Sequence, residues 1–300
     1  MVLEIKYLNY KDVIDEPNQV ICLGFFDGMH KAHIKLIQEA RKVAEEKGLP
    51  LAVFTFSMSI KTYLIKEHHH CLTTIEDKAE ICKQYGVKYL YVMKVEDNLV
   101  KMPAKEFINK FLIKSDTVVC GFDFNFGYMG KGNQELLKTY KEFNTLVIEE
   151  MKYLDMKIGA TRIRANLIEG NLDLVEKLLG RKYAIKGKVI PGRKVGRQLG
   201  FPTANIDYLP YNLPKSGVYY TLAFLNGVKY HSLTNIGIRP TYTNLGITVE
   251  TYLLDFDKQI YGENIKIEFI EYIRPEKKFS NEKELSKQIM NDIHFVKDKI

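Results

Sequence analysis

The 300-residue chain is long for one compact domain, and two domains of ordinary size are expected. With 46% hydrophobic and 27% charged residues it can bury a real core, which excludes intrinsic disorder and collagen-like order. Its 44 basic and 37 acidic side chains leave a net charge of +7, but lysines interleave with glutamates, as in "EARKVAEEK" (Glu39–Lys47), which is a solvated face and not a basic stripe. No nucleic-acid partner is therefore expected, whereas anionic small molecules such as nucleotides suit the excess.

No apolar run approaches the length of about eighteen residues that spans a membrane. Glu4, Asp12, Asp15 and Glu16 interrupt the N-terminal stretch, so no secretory leader is expected. Cys22, Cys71, Cys82 and Cys120 form no CxxC pair. Buried free thiols and a cytoplasmic location follow as expectations.

The first half alternates short apolar runs with helical periodicity. "VICLGFF" (Val20–Phe26), "LAVFTF" (Leu51–Phe56), "YLYVMKV" (Tyr89–Val95), "TVVCGF" (Thr117–Phe122) and "TLVIEE" (Thr145–Glu150) read as strands buried on both faces. Leu36, Ile37, Ala40, Val43 and Ala44 make one helical stripe, and Ile75, Ala79 and Cys82 another. This is the grammar of a doubly wound parallel α/β domain, whose ligands bind beyond the carboxyl ends of its strands.

Three loops fall at such ends. "GFFDGMHKAH" (Gly24–His33) joins the first of these strands to its helix, where backbone N–H groups and the helix dipole favour an anion. Asp27 and Gly28 fit a tight turn. His30 and His33 can donate to phosphoryl oxygens, or serve simply as caps. "GFDFNFGYMGKGN" (Gly121–Asn133) mixes glycine with aromatics that suit a flat ring system. "IGATRIR" (Ile158–Arg164) sets Thr161 near a helix start beside Arg162 and Arg164. "HHHC" (His68–Cys71) reads as a polar loop, because three consecutive side chains do not converge on one metal ion.

Residues 160–183 read as a helical bridge, so the domains are set at 1–182 and 183–300. Beyond it, β-rich runs with Gly, Asn and Pro punctuation predict an antiparallel barrel, with an Asn226-Gly227 hairpin turn. A closing helix carries Leu285, Ile289, Ile293 and Val296 on one stripe, with Ser280 as the expected N-cap. "GKVIPGRKVGRQLGFPTANI" (Gly187–Ile206) has no P-loop pattern, yet its glycines and its Arg193, Lys194 and Arg197 form a basic loop able to cover phosphates. In extended chain Thr203 and Asn205 share a face and offer oxygens to magnesium. Glu250, in an otherwise apolar strand, is a candidate general base or a carboxylate tied to a nearby cation.

Taken together these motifs resemble the bacterial bifunctional riboflavin kinase/FAD synthetase family. Its first module carries GxFDGxHxGH, Gx[DN]FxFG and SSTxIR; its second carries GxVxxG, PTAN, NIGxRPT, VET and RxExxF. The resemblance implies an N-terminal nucleotidylyltransferase-like domain and a six-stranded riboflavin kinase barrel with a C-terminal helix. The implied substrates are ATP, riboflavin and FMN, with Mg2+ accompanying ATP. In the first domain it implies nucleotide binding by Gly24, Phe25, His30, His33, Asp123, Thr161 and Arg164. In the barrel it implies ATP binding by Gly187, Gly192, Thr203 and Asn205, with the last two on the metal. Asn235, Arg239, Thr241 and Arg274 would line the flavin site, Arg274 in a loop that closes over it, and Glu250 would be the catalytic base.

The first domain departs from the family pattern at three places. Ala32 stands for a glycine, Gly159 and Ala160 stand for two serines, and "SMSI" (Ser57–Ile60) stands where FxPHP is usual. A second reading therefore remains beside the bifunctional one: a riboflavin kinase whose first domain only binds a nucleotide or flavin, or contacts a partner.

Overall fold

The structure, a computed structural model, describes residues 2–67, 70–192, 196, 199–240 and 245–300, with the side chains at 238–240 and 245 outside the description. The chain divides into two compact units, Met1–Ala160 and Thr161–Ile300.

In the first unit six parallel strands, β1 (Glu4–Leu8), β2 (Val20–Leu23), β3 (Leu51–Phe56), β4 (Tyr89–Met93), β5 (Thr117–Gly121) and β6 (Asn144–Ile148), lie in the order β1-β4-β3-β2-β5-β6. Period two explains why their sequences look continuously apolar. Ile21, Leu23, Phe54 and Tyr91 face one core, closed by Phe107, Ile108 and Phe111 of helix α5. Val20, Cys22, Val53 and Leu90 face the other, closed by Leu36, Ile37 and Ala40 of helix α1. The helices of this unit are α1 (Lys31–Lys47), α2 (Ile60–Ile65), α3 (Ile75–Gln84), α4 (Asp97–Val100), α5 (Ala104–Phe111) and α6 (Gln134–Lys138), and a small ribbon pairs β7 (Lys152–Tyr153) with β8 (Met156–Lys157). The chain runs outward from β2 through β3 to β4, then crosses back to β5 on the far side of β2. The carboxyl ends of β2 and β5 thus form the topological switch point, where such sheets bind ligands.

Two details differ from the sequence reading. The edge strand β1 gives no apolar run, because its outer residues are exposed. β2 stops at Leu23 because Phe26 adopts a left-handed backbone, φ 54°.

The second unit opens with two helices where a single bridge was expected, α7 (Ala160–Glu169) and α8 (Leu172–Leu179), separated at Gly170 and Asn171, with the Asn171 side chain capping α8. The Lys215 N–H donates to the Leu167 carbonyl at 2.9 Å, which ties α7 to the barrel chain. Then come β9 (Ala184–Ile190), β10 (Ala204–Asp207), β11 (Gly217–Leu225), β12 (Val228–Pro240), β13 (Leu245–Leu253) and β14 (Asn264–Arg274), closed in the order β10-β13-β12-β11-β14-β9. Asn226 and Gly227, φ 51° and 80°, make the expected turn between β11 and β12. Helix α9 (Glu282–Lys297) lays Ile289, Ile293 and Val296 on the outer barrel wall. Its N-cap is Asn281, which accepts the Glu284 N–H at 3.0 Å, and not Ser280: both residue types cap well, and the register of the last loop decides.

Inside the barrel Thr221, Ser232, Thr234 and Thr251 are fully buried and bond to one another, Thr221 to Ser232 at 2.8 Å, Thr221 to Thr234 at 2.7 Å and Thr234 to Thr251 at 2.9 Å. This chain satisfies the hydroxyls and penalises any slip of strand register. All four cysteines are buried free thiols. Among the described residues no helix is long and apolar enough to cross a membrane, and no group of three or more acidic, His or Cys side chains could hold a metal ion.

Candidate active sites

The barrel motifs, scattered over seventy residues of sequence, meet in one row. Antiparallel register sets Asn205 of β10 opposite Glu250 of β13, Glu250 opposite Asn235 of β12, Asn235 opposite Val218 of β11, and Val218 opposite Arg274 of β14. Residues directly opposite share a face and lie about 5 Å apart. The next row, with Thr251 and Thr234, points into the barrel, so this one points out.

Two cavities meet on that face. One, of about 380 Å3, is bordered by Gly192, Thr203, Asn205, Tyr252, Phe256 and Tyr261. The other, of about 360 Å3, is bordered by Thr203, Asn235, Glu250, Tyr252, Arg274 and apolar residues of α9. Thr203 and Tyr252 border both. The Thr203 hydroxyl donates to Glu250 Oε2 at 3.4 Å, a long bond that marks the junction. Thr203 and Asn205 thus bring hydroxyl and amide oxygens to one cavity, and Glu250 brings a carboxylate to the other, beside the Arg274 guanidinium and apolar side chains.

The two glycines assigned to ATP differ in what they do. A Cβ on Gly192 would lie 2.1 Å from Asn205 Nδ2, so glycine lets that amide sit at the cavity. A Cβ on Gly187 would lie 2.1 Å from the Asp207 carbonyl oxygen, so this glycine serves the close crossing of β9 and β10 and does not border the cavity.

Arg274 is the last residue of β14, where the resemblance implied a loop. Its Nε and Nη2 bind the buried Asp292 carboxylate at 3.0 and 2.7 Å, and Gln288 adds a third donor at 2.9 Å. Asp292 carries no motif and sequence reasoning did not single it out as a site residue; the junction residue Tyr252 follows the VET motif, where the family frequently has histidine, and was given no role. The Arg239 side chain and all of Thr241, Arg193, Lys194 and Arg197 lie outside the described residues, as do His68 and His69.

In the first unit a cavity of about 430 Å3 opens at the switch point. Gly24, Phe25 and His33 border it from the β2 side, Gly121 and Asp123 from β5, and residues 58–61 form another wall. Between Phe26 and Met29 the loop holds three residues at positive φ, 54°, 78° and 41°. Such a conformation costs on the order of 1–3 kcal/mol for each non-glycine residue and persists only where neighbours over-determine it. They do: Asp27 Oδ1 accepts the Leu72 and Thr73 N–H groups at 2.8 and 3.2 Å, and the Gly28 N–H donates to the Thr73 hydroxyl at 2.9 Å.

The two histidines divide their roles. His30 is 4% exposed and N-caps α1, its Nδ1 accepting the His33 N–H at 3.4 Å. The rings stack with centroids 3.6 Å apart, and His33 reaches the cavity. Asp123 pairs with Lys157. Thr161 and Arg164 belong to the second unit, where Arg164 Nε donates to Asn212 Oδ1 at 3.1 Å.

A family model described as FAD synthetase matches residues 13–162, and one described as riboflavin kinase matches residues 179–300. A Bacillus subtilis protein described as bifunctional riboflavin kinase/FMN adenylyltransferase is 38% identical over 288 residues, 93% of this chain and 91% of its own. The chain belongs to this bifunctional family. A Listeria monocytogenes member is 36% identical over 300 residues, 95% of each chain. The same fold, end to end, occurs in a crystal structure described as a macrolide-efflux protein from Streptococcus pneumoniae, with 30% identity, a TM-score of 0.90 and 98% of both chains covered.

Against the family pattern the three departures now have locations. Ala32 lies within the first turn of α1, where a methyl is compatible with helical backbone. A Cβ on Gly159 would meet nothing within 4 Å. Of these stretches only 57–60 borders the cavity, through residues 58–60, and there Ser59 caps α2 while the next residue, Lys61, brings a cation to the wall.

Proposed function

We propose that this protein phosphorylates riboflavin to FMN in its barrel and adenylylates FMN to FAD in its N-terminal domain, as its bifunctional relatives are named for doing. The observation that carries the first reaction is the row Asn205, Glu250, Asn235, which crosses from one cavity to the other. ATP occupies the cavity of Gly192, Thr203 and Asn205, and riboflavin occupies the one lined by Asn235 and Arg274, with Arg239 and Thr241 assigned there by the family pattern. The ribityl hydroxyl then meets Glu250, which accepts its proton while the oxygen attacks the γ-phosphorus in line. Thr203 and Asn205 offer the hard oxygen donors that Mg2+ prefers, and the ion would neutralise charge building on the β- and γ-phosphates. Tyr252 separates the two ligands.

In the second reaction an FMN phosphate oxygen attacks the ATP α-phosphorus, a new P–O–P bond forms and pyrophosphate leaves. The strained loop from Gly24 to His33 presents backbone N–H groups, and His33 donates to the departing oxygens. His30 orients that ring from the helix cap. Asp123 borders the same cavity, Lys61 adds positive charge, and Thr161 and Arg164 keep the family's assignment to nucleotide. On this reading the chemistry divides at 1–182 and 183–300, and the soluble substrates fit a cytoplasmic enzyme. Because two of the three departures leave the cavity wall untouched, the bifunctional reading is preferred to a first domain that only binds.

The test is chromatographic. Purified protein with riboflavin and Mg-ATP gives FMN and ADP, and with FMN and Mg-ATP it gives FAD and pyrophosphate. Absence of either product refutes that half of the assignment.

A further inference from the structure

The helix α3 turns Ile75, Lys78, Ala79 and Cys82 toward the core, and Lys78 is only 2% exposed. Its Nζ donates to the Phe25 carbonyl at 2.7 Å and to the Thr55 hydroxyl oxygen at 3.2 Å, and stands 4.6 Å from the centre of the Phe25 ring. Thr55 itself donates to the same carbonyl at 2.8 Å, so a neutral donor already satisfies that oxygen. Burying an ammonium is costly, and a carbonyl alone does not call for one. The groups that face the ammonium are Asp27 from the loop, Cys71 from the segment before α3 and Cys82 from α3 itself. Desolvation outweighs their attraction and pushes Lys78 down to about 8.

Phe25 is also a wall of the first unit's cavity. The bond from Lys78 to the Phe25 carbonyl therefore fixes the backbone that carries this wall. We propose that Lys78 is a positioning residue for adenylyl transfer, holding the Phe25 backbone so that the cavity wall keeps its shape for the nucleotide and setting a positive charge beneath the loop that the phosphates occupy. This rests on the adenylyltransferase reading of that cavity. The clamp works while Lys78 is protonated, so its contribution is complete below about pH 8 and fades above it. Bound polyphosphate favours the ammonium and moves the transition upward, so the alkaline fall belongs to kcat/KM more than to kcat.

The experiment uses the full chain and compares wild type, Lys78→Arg and Lys78→Met in FAD and pyrophosphate formation from FMN and Mg-ATP across neutral to alkaline pH, with riboflavin phosphorylation as internal control. Lys78→Met should lower kcat/KM for FAD by about tenfold or more at neutral pH. Lys78→Arg should recover most of it and lose the alkaline fall, and riboflavin phosphorylation should be equal in all three. If Lys78→Met fails to fold, the pH profile of Lys78→Arg decides. An alkaline fall that persists unchanged in Lys78→Arg, or FAD formation by Lys78→Met equal to wild type, overturns the proposal and leaves the adenylyltransferase reading standing. A wild-type protein that makes no FAD overturns both.

Discussion

The two units build their sites by different means. In the barrel the functional side chains sit on strands, and hydrogen-bond register alone sets Asn205, Glu250 and Asn235 abreast. In the first unit they sit on loops past the strand ends, and the loop backbone, part of it in an unfavourable conformation, is tied by Asp27 and Gly28 to residues 72 and 73 and by the Phe25 carbonyl to Lys78. A site made by register resists a single change in its surroundings, while a site made by a stapled loop depends on residues that never meet the substrate.

The sharpest way to break this contrast is Glu250→Gln, which keeps the shape and removes the base. Riboflavin phosphorylation should fall by about 10²–10⁴-fold, with FAD formation from supplied FMN unchanged, in parallel steady-state assays. Asp292→Ala, which strands the Arg274 guanidinium, should cost about 3 kcal/mol in chemical denaturation and raise the KM for riboflavin more than it lowers kcat.

The next test concerns pH. Lys78 titrates near 8 when folded and near 10.5 when unfolded, so the cost of burying its charge is full below pH 8 and is relieved as pH rises from there toward 10.5. Wild type should therefore gain stability relative to Lys78→Met across that window, by up to about 3 kcal/mol. Thr234→Val, which interrupts the buried hydroxyl chain, should cost about 1–3 kcal/mol with both activities retained per folded molecule. The smallest effect is expected from Gly159→Ser, which restores a family serine into open space and should change stability by less than about 0.5 kcal/mol.

Much of this architecture was legible in the sequence. The apolar runs at Cys22, Phe54 and Val119 gave the parallel sheet because both faces of each strand are covered, and Asn226-Gly227 gave the hairpin through its positive φ. The motif residues at 203, 205, 235 and 250 were visible as types. Their alignment was not, because register depends on turns and bulges that no single segment encodes. Lys78 could have been noticed, since it occupies a core position of the Ile75, Ala79, Cys82 stripe; helical periodicity counts apolar residues and passes over a lysine among them. Asp292 gave no signal, as its partner lies eighteen residues away on another element.

On the proposed function one chain carries two sites linked by FMN, the product of the barrel being a substrate of the first domain. Mixing two inactive-site variants tests it most directly: Glu250→Gln and His33→Ala are each incubated with riboflavin and Mg-ATP, alone and then together. Little product is expected from the first alone, FMN without FAD from the second alone, and FAD from the mixture. A mixture that still makes no FAD, with both proteins folded, would contradict it.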